Sequence, residues 1–139
     1  MKQLYYALKS KDDNIRRNSS SGGVFRHLAE KIIEDHGIVY GAIYDKKFNV
    51  IHSRISEKKE LYKISGSKYA KSNLKNCFEL VKKDLEDGKE VLFSGTPCQI
   101  KALKNVVPKT NKLLLVDIVC HGTPDSVFLE EYIKWLEKK

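Results

Sequence analysis

Apolar residues along this chain change period several times, and each change marks an element. Residues 3–8 alternate enough for a strand, and residues 9–21 are polar and read as a loop. Val24, Phe25, Leu28, Ala29, Ile32 and Ile33 then recur at helical spacing and share one face, with His36 and Gly37 closing the helix. Residues 38–44 form an apolar run with small residues at Gly41 and Ala42. After the turn at Asp45-Lys46-Lys47, Val50, His52 and Arg54 alternate with Ile51, Ser53 and Ile55, which predicts an antiparallel hairpin. A short helix is expected over 58–64. Leu74, Cys77, Phe78, Val81 and Leu85 mark a longer amphipathic helix stopped by Gly88.

The next stretch repeats one design. Residues 90–99 and 114–124 each give an apolar, strand-length run followed by Gly-Thr-Pro: Gly95-Thr96-Pro97, then Gly122-Thr123-Pro124. Threonine suits a helix N-cap, and proline suits the first helical position, where a missing N–H costs nothing. Gln99, three residues after Thr96, completes a capping box. A last helix from about residue 125 puts Phe128, Tyr132, Trp135 and Leu136 on one side. Hairpin and crossovers together predict a single α/β domain over 1–139: a mixed sheet flanked by helices, with two consecutive strand–Gly-Thr-Pro–helix units. Cys98 and Cys120 then fall at the carboxyl ends of parallel strands, where open α/β sheets bind ligands.

A chain of 139 residues is one domain and buries about two-thirds of its unfolded surface. No apolar run is long enough to span a membrane and no signal peptide opens the chain, so no membrane insertion is expected. Three separated cysteines do not make a secreted disulfide framework and suggest a reducing, cytoplasmic setting. The net charge of +8 raises the question of nucleic acid. Its Lys and Arg residues are scattered among acids, as in Lys82-Lys83-Asp84-Leu85-Glu86-Asp87, which reads as a solvated surface. No nucleic-acid motif accompanies them, so no such partner is expected.

Four short motifs could carry chemistry. Ser19-Ser20-Ser21-Gly22-Gly23 opens the first clear helix, where unpaired N–H groups and flexible glycines admit a phosphate; a plain serine cap explains it as well. Ser65-Gly66-Ser67-Lys68-Tyr69 offers a turn, a hydroxyl, a cation and an aromatic face, a set suited to a planar anion, and Lys71 and Ser72 could extend it. A turn with an exposed lysine is the plain alternative. Cys98 falls in the first turn of its helix, where the helix dipole favours the thiolate, the form that binds iron or attacks an electrophile. Cys120 and His121 could supply further ligands, while Cys77 shares an apolar helix face and belongs to the core. His27, His36 and His52 show no metal-ligand spacing and read as surface or capping residues.

Taken in order, Ser20-Ser21-Gly22-Gly23, Gly66-Ser67-Lys68-Tyr69, Phe93-Ser94-Gly95-Thr96-Pro97-Cys98-Gln99 and Asp117-Ile118-Val119-Cys120-His121-Gly122 resemble one family over nearly the whole chain. It is the beta subunit of the hydrogenases and dehydrogenases that use the deazaflavin coenzyme F420, with bacterial members from polysaccharide gene neighbourhoods looking closest. The resemblance implies an oxidoreductase that passes electrons between iron–sulfur clusters and a flavin or deazaflavin. It implies FAD as cofactor, a 4Fe–4S cluster, and a ferredoxin-like domain or protein as partner. Ser20, Ser21, Gly22, Gly23, Ser67, Lys68, Tyr69, Ser94, Gly95, Thr96, Pro97, Gln99 and His121 would then line the cofactor site, and Cys98 and Cys120 would be candidate cluster ligands. Ferredoxin cysteines and the family's downstream region are not found here, so the chain is expected to be the family's amino-terminal domain alone, part of a longer iron–sulfur flavoprotein, and by itself to hold neither cofactor tightly. Two rivals remain: a non-catalytic docking module for an electron-transfer partner, and a thiol hydrolase using Cys98 and His121.

Overall fold

A computed structural model describes residues 3–124 and 126–139. Its centre is a four-stranded mixed sheet built from β1 (Ile38–Tyr44), β2 (Val50–Ile55), β3 (Val91–Gly95) and β4 (Leu113–Asp117), in the order β2-β1-β3-β4. β1 and β2 form the predicted antiparallel hairpin, with Tyr40 opposite Arg54 and Ala42 opposite His52. β1 and β3 are parallel, as are β3 and β4. The mixed α/β architecture expected from the alternating elements is therefore the one observed.

Alternation along the strands divides the core in two. Ile38, Tyr40, Val91 and Phe93 face one side, where Cys77, Val81 and Leu85 of α3 (Cys77–Glu86) and Ile100 and Leu103 of α4 (Pro97–Val106) cover them. Val39, Leu92 and Ile55 face the other, against Ala29 of α2 (Val24–Glu34) and Leu61 and Ile64 of a 3₁₀ helix, Lys58–Ile64. Burying both faces explains why β1 and β3 read as nearly continuous apolar runs.

Several expectations are corrected. Residues 3–8 form no strand: Leu4, Tyr5, Tyr6 and Leu8 stay exposed, and no strand pairs with them. A β-favouring pattern is stabilised only by a ladder, and the outer edge of β2 is engaged elsewhere, by Asn73 through His52 N–H (2.9 Å) and Val50 C=O (2.9 Å). Within the expected loop lies α1 (Asp13–Arg17), whose cap is Asp12 Oδ1, accepting from Asn14 N–H at 2.8 Å and Ile15 N–H at 3.2 Å. One turn this short carries no apolar period. Asp84, taken as solvated, is buried. At the end of α2, where Gly37 was expected to close the helix, His36 takes the left-handed conformation (φ 60°) and Gly37 N–H donates to Ile32 O at 2.8 Å. Gly37 is needed for a different reason: a Cβ there would lie 2.7 Å from Glu90 O and 2.9 Å from Ile32 O.

The first Gly-Thr-Pro unit joins β3 directly to α4. Beyond β4 the chain runs irregularly over 118–124, and Cys120 lies past the strand rather than at its end. α5 (Ser126–Glu137) follows; the expected helix start at position 125 lies outside the described residues.

Candidate functional site

Parallel strands β1, β3 and β4 point their carboxyl ends the same way, and three of the four motifs meet there. Gly23 opens α2 in a left-handed conformation (φ 79°) that leaves its side without a Cβ, where one would approach Ile15 Cγ2 at 3.0 Å. Just before it, Ser20 Oγ accepts a hydrogen bond from Ser67 N–H at 2.6 Å, which ties the Ser-Gly-Gly loop to the loop after the 3₁₀ helix. Further on, Gln99 Nε2 donates to Ser72 Oγ at 2.8 Å, tying that same loop to the start of α4. The stretch 65–72 therefore bridges two helix N-termini, one from each layer covering the sheet.

Around Thr96 the local chemistry follows the sequence. Gln99 Oε1 accepts from Thr96 N–H at 3.0 Å, the glutamine half of the predicted capping box. Gly95 is required by space: a Cβ would meet Phe93 Cε1 at 2.9 Å and Gln99 Oε1 at 3.0 Å. Its carbonyl accepts from Ile118 N–H at 3.0 Å, carrying the β3–β4 contact beyond the strand ends. Cys98 is exposed on this first turn, with Thr96 Oγ1 3.1 Å from its sulfur. Pro97 and Ser94 hold the turn's flanks, Ser94 half-buried and Pro97 exposed.

Lys68 stands differently from a free cation. Its ammonium donates to three carbonyls, Ser65 O at 2.7 Å, Lys63 O at 2.9 Å and Gly66 O at 3.1 Å, and so closes the carboxyl end of the 3₁₀ helix. Burial lowers its pKa. Tyr69, next along, is 79% exposed and presents an open aromatic face. Gly66 takes φ +76° with its side toward open space; a Cβ would come no closer than 4.0 Å to Ser20 Oγ.

Cys120 and His121 are exposed beyond β4, and His121 makes no hydrogen bond with another described residue, so Cys98 and His121 do not form a hydrogen-bonded pair. Among the described residues no group of three or more His, Cys, Asp or Glu side chains is placed to hold a metal. An iron–sulfur cluster takes four ligands. Two thiols do not complete that set.

Two clusters escaped the sequence reading. Tyr40 Oη donates to Asp84 Oδ2 at 2.5 Å, and Arg54 grips the same carboxylate through Nε and Nη2 at 2.8 Å each, joining β1, β2 and α3. Burial alone would raise the Asp84 pKa, but the bonds from Arg54 and Tyr40 outweigh it and hold the carboxyl below its ordinary value. Asp84 was detectable, because it follows Val81 by three residues on the buried stripe of α3. The second is His52, a buried residue rather than a surface one. Its Nε2 lies 2.9 Å from Ser94 O, its ring stacks on Phe93 with centroids 5.1 Å apart, and Nδ1 is buried without a partner. Burial lowers its pKa, so the neutral ring is favoured and Nε2–H is the donor to Ser94.

Residues 5–79 match the model for the coenzyme F420 hydrogenase/dehydrogenase beta subunit N-terminal region, and residues 88–139 match the model for the C terminus of the same subunit, so the chain is not the expected amino-terminal domain alone but reaches into both. Among solved structures, a chain of the F420-reducing NiFe hydrogenase complex from Methanosarcina barkeri superposes with a TM-score of 0.72 at 18% identity. The match covers 91% of this chain and 47% of that one, so this chain spans about half the length of its solved relative. No curated protein matches. No helix among the described residues is long and apolar enough to cross a membrane.

Proposed function

This chain belongs to the coenzyme F420 hydrogenase/dehydrogenase beta subunit family, and from that premise we propose that it forms the FAD-holding part of a cytoplasmic oxidoreductase passing electrons between iron–sulfur clusters and a flavin or deazaflavin. The observation that carries this reading is the pair of hydrogen bonds Ser67–Ser20 and Gln99–Ser72, which gather three separate loops at one end of the sheet. Such a rim suits a flavin nucleotide. It offers open space beside Gly66 for a backbone–phosphate approach, hydroxyls at Ser20, Ser21 and Ser67, and an exposed ring at Tyr69.

The start of α2, with Ser20, Ser21, Gly22 and Gly23, receives the diphosphate. Lys68, occupied by three carbonyls, shapes the loop and adds positive potential close by. Tyr69 packs on a ring or ribose, and the turn from Ser94 to Gln99 borders the reactive part. FAD, when bound, supplies the hydride chemistry, while the protein orients it and tunes its surroundings. Cys98 and Cys120 would give two cluster ligands, with the remaining sulfur coming from a ferredoxin-like partner.

FAD titrated into the chain, followed by flavin fluorescence quenching, tests the proposal. Saturable binding is expected, weakened about fivefold by Ser20→Ala through loss of one loop-joining hydrogen bond. Lys68→Ala should weaken it comparably. Absence of saturation at millimolar FAD would overturn the flavin assignment and leave the docking module as the better reading.

A further inference from the structure

β1 and β3 part company just below the proposed site. Their ladder consists of Ile38–Val91, Val39–Leu92 and Tyr40–Phe93, and β3 continues through Ser94 and Gly95 with no β1 partner. Where the ladder stops, a side chain from the next strand over takes its place. His52 of β2 sits opposite Ala42 of β1 and reaches across that strand to the carbonyl of Ser94 in β3. The small residue at position 42 makes this possible, since a long side chain directly opposite would occupy the same space on that face. Phe93, stacked on the imidazole at an interplanar angle of 12°, fixes the ring's plane.

The histidine is held at a cost. With Nε2–H donating to Ser94, Nδ1 is a bare acceptor buried without a donor, a state that proteins rarely retain where an apolar side chain would serve. Filling the space is therefore not what His52 supplies. Its distinct contribution is the directed bond to Ser94, two residues before the Thr96 cap and four before Cys98.

We propose that His52 is a positioning residue, a strut from β2 to β3 that replaces the missing β1–β3 ladder and sets the Ser94–Gln99 turn in the orientation the ligand site requires. The ligand half of this statement rests on the flavin reading above; the strut itself does not. Glutamine can imitate this histidine, because its Nε2 amide donates at similar reach and its Oε1 leaves a bare acceptor. Leucine fills comparable space and donates nothing.

Amide hydrogen exchange on the full chain tests the strut, with FAD affinity measured on the same samples. In His52→Leu, exchange over residues 94–100 should quicken about tenfold, as expected for local opening, while the amides of α3 keep their wild-type rates. His52→Gln should restore slow exchange, and FAD affinity should follow the same order. Unchanged exchange at 94–100 in His52→Leu would overturn the proposal. Uniform acceleration throughout the chain in both variants would overturn it too, showing His52 to be ordinary core. If exchange responds locally but the wild type takes up no FAD, the strut stands and the flavin reading falls.

Discussion

Replacing Asp84 by alanine tests the buried cluster that fastens α3 to the hairpin. Tyr40 is 0% exposed, so losing its acceptor strands a hydroxyl away from water, at about 1–3 kcal/mol. Arg54 has 37% of its side chain exposed and can turn to solvent, so its lost pair contributes no more than about 1 kcal/mol. Relief from burying a carboxylate offsets part of this. The net expectation is a loss of about 1–3 kcal/mol in urea unfolding followed by far-ultraviolet circular dichroism. A double-mutant cycle isolates the cause. In the Tyr40→Phe background no hydroxyl remains to strand, so Asp84→Ala should cost about 1–2 kcal/mol less there. Additive losses, or an Asp84→Ala cost under about 0.5 kcal/mol, would refute the account of Asp84 as the acceptor that keeps Tyr40 satisfied.

Four further outcomes are expected. Because burial lowers the His52 pKa in the folded state, the unfolded chain takes up the extra proton below its ordinary value of 6.5; stability therefore falls as pH drops through that region. His52→Gln should flatten the decline between pH 7 and 5, and equal slopes in both proteins would contradict the buried neutral ring. Iodoacetamide should label exposed Cys98 in the native protein well before Cys77, which is 3% exposed and whose thiol burial pushes up to about 12; mass mapping that finds Cys77 first would reverse the assignment. Gly37→Ala should destabilise by about 2 kcal/mol or more because its Cβ meets backbone. His36→Gly should stabilise by up to about 1 kcal/mol through relief of a left-handed φ, and thermal melts moving the other way would show the helix end to be misread.

What could be foreseen was what periodicity and turn chemistry encode. The α2 stripe, the hairpin alternation and the Thr96–Gln99 spacing each depend on near neighbours, and each appears where expected. Residues 3–8 failed because a strand is stabilised only by pairing, and no local pattern says whether a partner strand lies within reach. His52 failed for a related reason: its partner, Ser94, is forty-two positions away and offers a carbonyl, which every residue has. Asp84 was hidden by its charged neighbours although its helical phase was visible. For the candidate site, the motifs were legible as turns, and hydrogen bonds across the fold bring the first three together. Which side chain each loop spends on holding its own shape, as Lys68 does, depends on contacts across the fold.

The strand order has a consequence for the chain while it is being made. β1 pairs with β2 through a short turn, so the hairpin can close as soon as residue 55 is available. The other edge of β1, with Ile38, Val39 and Tyr40, must wait for β3, and residues 56–90 have to be synthesised in between. At ~5–20 residues per second that interval lasts on the order of several seconds. Throughout it, an apolar strand stands open along one edge on the nascent chain, a natural substrate for chaperones or for pairing with a neighbour on the same message. The same central strand that organises the finished sheet is thus its point of greatest exposure during birth.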